Sequence, residues 1–232
     1  MSEIINVKIK DDRSPLIRIG GLAGLSAIVV HMIVNMFLKT FPSESFTAPE
    51  LEMYFRQEAG TWEVVHGLRY LAMAGIVFMV TGLYLKTGTD GAKSENGWRL
   101  IGLLGATMWL ANLMITNGIE MFAFLDYESM DSNPALFWMI FDMTRVLFGA
   151  EIIAWTLVAF GFSMAGKRSR KFPAWLSYVG ILMAVGGFIA SITIVNVLKD
   201  GWTSYILLVA AFGIIFWFAS ASVNMIRKDN RT

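Results

Sequence analysis

Six apolar runs, each long enough to cross a bilayer, restrict this chain to one class of fold. They lie at roughly 17–38, 62–85, 99–125, 134–165, 173–198 and 203–226, and about 20 residues rising 1.5 Å each are enough to traverse the hydrocarbon core. Inside that core the backbone must satisfy its own hydrogen bonds, which a helix does. Hydrophobic residues make up 56% of the 232, and most charges sit in short segments between the runs, leaving no stretch for a soluble domain. The expected fold is all-α: a polytopic membrane protein, a six-transmembrane-helix bundle with a short outer amphipathic helix. Residues 1–232 then form a single transmembrane helical domain.

The basic residues give an orientation, because cytoplasmic loops are enriched in Lys and Arg. Lys8, Lys10, Arg13 and Arg18 precede or open the first run, and Lys86, Lys93 and Arg99 flank the second connection. Lys167, Arg168, Arg170 and Lys171 crowd the fourth connection, and Arg227, Lys228 and Arg231 close the tail. All fall on one side, against Lys39, Arg56 and Lys199 on the other. The connections on that other side instead carry Glu44, Glu50, Glu52, Glu58, Asp126, Glu128, Asp131 and Asp200. Both termini are therefore expected in the cytoplasm of a bacterial cell, with the chain in the inner membrane. The first run follows a charged leader without a small-residue cleavage site and reads as a retained helix. With no cysteine, disulfides, thiolate metal sites and thiol nucleophiles are excluded. A net charge of +1 argues against a nucleic-acid partner, since topology explains the basic runs.

The longest outer connection covers about residues 39–61. In it Thr47-Ala48-Pro49-Glu50 has the form of a helix start, with Thr as cap, Pro in the first turn and Glu at the capping-box position. Leu51, Tyr54 and Phe55 share a face, and Gly60 is placed to end the segment. A short amphipathic helix on the outer surface follows, as an anchor or as a lid. Trp62, Trp98, Trp138, Trp175 and Trp202 fall near helix ends, where interfacial aromatics belong. Trp109, Trp155 and Trp217 lie deeper and read as packing residues, as do Gly180, Gly186 and Gly187 of the fifth helix.

Against this apolar background stand His31, His66, Arg69, Glu120, Asp142, Arg145 and Glu151. A charge at the bilayer centre costs at least about 2.5–3.5 kcal/mol, so such residues are paired and often functional. All but Glu151 fall in the outer half. His31 and Asn35 share a face of the first helix, and His66 and Arg69 lie within a turn on the second. Trp109, Asn112, Thr116 and Glu120 form a stripe on the third, with Asn117 at its edge. Asp142 and Arg145 can pair locally on the fourth, and Asn196 on the fifth lies at comparable depth. Glu151 projects from nearly the opposite face to Asp142 and would meet another helix or a partner subunit.

His31, Asn35, His66, Arg69, Asn112, Asn117, Glu120, Asp142 and Arg145 are thus the candidate ligand-binding residues. Arg69 and Arg145 balance Glu120 and Asp142, and adding Glu151 would call for one protonated histidine, which makes the pocket sensitive to protonation. The plainer alternative is a pair of buried bridges, Asp142–Arg145 and Glu120–Arg69, that fix helix register. As a pocket, the constellation suits binding or transport of a small ligand. It also suits a membrane redox protein or enzyme in which His31 and His66 ligate haem b or a metal ion. Met32 with Met36, and Met139 with Met143, would suit Cu(I), although Met equally fills apolar gaps. No serine sits in a nucleophile context.

Two stretches, Arg18-Ile19-Gly20-Gly21-Leu22-Ala23-Gly24-Leu25 and Phe172-Pro173-Ala174-Trp175-Leu176-Ser177-Tyr178-Val179-Gly180, resemble a family of uncharacterised bacterial six-helix membrane proteins. The resemblance implies the six-span architecture and carries no functional residue onto this chain.

Overall fold

The computed structural model describes residues 13–35, 46–88, 93–125, 134–199 and 201–227. The helices are α1 (Arg13–Ile33), α2 (Ala48–Lys86), α3 (Lys93–Leu125), α4 (Pro134–Arg168), α5 (Ala174–Ile192), the short α6 (Ile194–Leu198) and α7 (Thr203–Ile226). No strand occurs among the described residues. Every helix but α6 is long and apolar enough to cross a membrane, so the all-α six-span bundle stands. Lys8, Lys10, Met36, Lys39, Glu44, Asp126, Glu128, Asp131 and Asp200 lie outside the described residues.

The structure departs from expectation at two helix ends. The amphipathic segment after Thr47 is not a separate surface helix but the first turns of α2, which runs unbroken for 39 residues. At 1.5 Å per residue it is about 58 Å long, well beyond the roughly 30 Å hydrocarbon core. Its start is as read: the Thr47 N–H and hydroxyl both donate to the Glu50 carboxylate, at 2.7 and 2.8 Å. Gly60 does not stop it. A Cβ built there would meet nothing within 4 Å, so no turn or close neighbour uses the glycine's freedom. The extension is held by Leu51 and Phe55, buried against Ala123 of α3 and Phe137 of α4.

The fifth run is broken where an unbroken helix was expected. Thr193 leaves helical geometry (φ −104°, ψ 28°), and its hydroxyl donates to the Ile189 carbonyl at 2.9 Å. Asn196 then serves the next helix: its side-chain oxygen accepts from the Thr203 N–H at 3.2 Å and from the Thr203 hydroxyl at 2.6 Å. Those bonds satisfy donors at the start of α7, which explains a polar residue there without any ligand.

The spans form a ring in the order α1, α2, α3, α4, α5, α7, with α7 returning to α1. At the α1–α2 and α3–α4 contacts the helices approach so closely that only glycine fits. A Cβ at Gly20 of α1 would lie 2.9 Å from the Gly82 Cα of α2, and one at Gly161 of α4 would lie 2.7 Å from the Gly102 Cα of α3. Without a hydrophobic drive between helices in lipid, such close backbone contact is what holds spans together. Gly180, Gly186 and Gly187 of α5 likewise abut Trp217, Ala210 and Thr156. The outside of the ring is apolar, with Leu71, Val146, Leu182 and Phe212 facing outward, as a lipid-facing surface requires. At the basic end, Arg99 lies 3.7 Å over the Tyr84 ring and Lys167 lies 4.4 Å over Tyr178, pairing cations with aromatics.

Candidate functional site

The polar residues inside the ring collect in two places. The first is the α2–α3 interface. Arg69 donates to the Glu120 carboxylate, and the pair is buried, with side-chain exposures of 11% and 5%. Arg69 also reaches the Asn117 side-chain oxygen at 3.5 Å, and that oxygen lies 2.6 Å from His66 Nδ1. At the adjacent positions, the Tyr70 hydroxyl donates to the Met121 sulfur at 3.6 Å. Aromatic rings close the interface toward the α2 extension. Trp62 stacks on Phe124 with centroids 4.5 Å apart, the His66 ring lies 5.7 Å from Trp62 and 6.4 Å from Phe124, and the Trp62 indole donates to Tyr54 at 2.9 Å. His66, Arg69, Asn117 and Glu120 are therefore brought together as a hydrogen-bonded clasp between two helices. The Glu120–Arg69 bridge weighed from sequence is present. The Asn117 side-chain amide nitrogen is buried with no hydrogen-bond partner among the described residues.

The second place is a cavity of about 190 Å³ near the middle of the bundle, walled by all the spans except α5. His31 of α1 and Glu151 of α4 line it, and no other titratable side chain does among the described residues. Trp109, the central residue of α3, donates its indole N–H to Glu151 at 3.1 Å and stacks on Phe218 of α7, with centroids 5.4 Å apart and planes at 21°. Trp155, one turn beyond Glu151, also lines the cavity, and its indole nitrogen is buried without a hydrogen-bond partner. Met32 and Phe148, both partly exposed, belong to the same lining. Glu151 thus meets a neighbouring helix of its own bundle.

The two histidines are at nearby depths, each with its own described surroundings. Antiparallel packing sets Ala27 against Gly75, and Val34 against Trp62 and Val65, which brings the His31 and His66 turns close along the axis. His31 then lines the cavity, whereas His66 bonds Asn117 in the α2–α3 interface and is absent from the cavity lining. Among the described residues no three His, Asp or Glu side chains group to hold a metal ion.

The remaining candidates serve elsewhere. Asn112 donates to the Leu147 carbonyl at 3.0 Å and pins α3 to α4. Asn35 is exposed, and its amide donates to the His31 carbonyl at 2.8 Å. Asp142 is exposed, and the Arg145 side chain lies outside what is described. The cavity aromatic missed from sequence is Trp155, read there as packing, and its position four residues after Glu151 on α4 was the signal; Trp109 already belonged to the polar stripe of α3.

Fold and polar interior together define a six-span helical membrane protein with ionisable groups inside its bundle. No family model, curated protein or solved structure matches the chain.

Proposed function

We propose that this protein binds, and by that means senses or moves, a small ligand inside the membrane, and that the central cavity is the binding site. One observation carries the reading: a chamber of about 190 Å³ with mostly apolar walls is lined by the ionisable residues Glu151 and His31 beside Trp109 and Trp155. Binding sites are concave and mostly apolar, with a few polar groups that fix orientation, and ionisable groups in a span mark functional positions. The Arg69–Glu120–Asn117–His66 clasp supports the site by fixing α2 against α3, and His31 and Glu151 make binding depend on protonation. The basic connections support an orientation with both termini in the cytoplasm of a bacterial inner membrane, in which the clasp end of the bundle points outward.

The test uses 4-bromobenzyl alcohol, whose bromine quenches indole fluorescence, on purified protein in nanodiscs. Quenching should saturate, and Ala211→Phe, which fills the cavity from α7, should abolish the saturable part. Protonated His31 competes with the ligand's hydroxyl for Glu151. Affinity is therefore expected to fall about threefold or more between pH about 8 and about 5.5, the range in which histidine ordinarily titrates, and His31→Gln should flatten that change. Linear quenching identical in both proteins would end the reading.

A further inference from the structure

We infer that the cavity selects lipophilic organic cations: molecules with an apolar, ring-sized body and a permanent or protonated ammonium group. The inference rests on the cavity reading above and adds the chemistry of the ligand. Two observations favour a cation over a neutral or anionic guest.

Glu151 is the acidic side chain of the lining, and in a chamber walled by Ile76, Met79 and Ile214 little solvent screens it, so charge selects strongly there. The walls beside it are aromatic. Trp109 is fixed by its bond to Glu151 and by the stack on Phe218, and Trp155 and Phe148 complete the aromatic surface. Ring faces attract cations within about 6 Å of their centroids, and an ammonium group enclosed by several rings gains from each. With His31 uncharged, an anion would meet both the carboxylate and the negative faces of the rings. Volume limits the body of the ligand. A cavity of about 150 Å³ accommodates benzene, so one of about 190 Å³ takes a single ring with a compact substituent.

Benzyltrimethylammonium and its uncharged carbon isostere, neopentylbenzene, separate charge from shape. With the full-length protein in nanodiscs, fluorescence titration and calorimetry should show the cation bound at least about tenfold more tightly than the isostere, and Glu151→Gln should bring the two within about twofold. The wild-type comparison stands even if the variant fails to fold. Equal binding of both compounds, lost in Ala211→Phe, overturns the cation assignment and leaves the cavity as a ligand site. Binding of neither compound to wild-type protein, together with linear quenching by the brominated alcohol, overturns both. A preference for the cation that persists undiminished in Glu151→Gln also overturns the assignment, because the selecting charge is then elsewhere.

Discussion

Arg69 and Glu120 show how a charged pair is kept inside an apolar bundle. Each alone would cost several kcal/mol to hold away from water. Together, with Asn117 and His66 completing the hydrogen bonds, they form a local neutral unit. Removing one partner should therefore be worse than removing both. Glu120→Ala leaves a buried guanidinium and is expected to cost about 3–5 kcal/mol, whereas Arg69→Leu combined with Glu120→Leu should cost clearly less. Thermal unfolding in detergent, followed by circular dichroism, makes the comparison. A double variant as unstable as the single one would show that the pair contributes more than mutual neutralisation. Asn112, by contrast, bonds a backbone carbonyl and acts as a register pin whatever occupies the cavity.

Along the helices, glycine has opposite meanings at different positions. At Gly161 a Cβ would collide with the α3 backbone, 2.7 Å from Gly102 Cα and 2.8 Å from the Trp98 carbonyl oxygen. Backbone cannot rotate away as a side chain can, so Gly161→Ala must push α3 and α4 apart. A loss of about 1–3 kcal/mol is expected, the usual scale of overpacking. Gly60 sits in the exposed first part of α2 with open space around it. There Gly60→Ala should stabilise by about 0.5–1 kcal/mol, since alanine loses less backbone entropy in a helix. Paired unfolding curves in the same detergent test both, and a shift of the same sign for the two variants would contradict the account. The element boundaries follow the same logic. Gly60 looked like a stop signal, yet Leu51 and Phe55 find partners on α3 and α4, and tertiary burial outweighs a single glycine's preference.

For the whole molecule, the asymmetry of charge between the two ends implies a fixed orientation. The chain contains no cysteine, so single introduced thiols report topology without background. Lys199 and Lys171 are exposed at opposite ends of the bundle. In intact cells a membrane-impermeant maleimide should label Lys199→Cys directly and Lys171→Cys only after permeabilisation. The reverse pattern would invert the proposed orientation and place the clasp end of the bundle at the cytoplasm.

Length and apolarity sufficed to determine the class: six runs of lipid-compatible residues specify six helices, because backbone hydrogen bonding in hydrocarbon allows little else. Local chemistry also showed the Thr47–Glu50 helix start and the Arg69–Glu120 pairing, since those partners were few and complementary. The placing of His31 on the cavity and of His66 against Asn117, the turning of Glu151 into the bundle, and the role of Trp109 and Trp155 as cavity walls were decided by the tertiary structure. Spacing along a helix gives the phase of a side chain, but which neighbour it meets depends on how the helices rotate about their axes as they pack. That rotation is set by close contacts such as Gly20–Gly82 and Gly102–Gly161, which join residues remote in sequence.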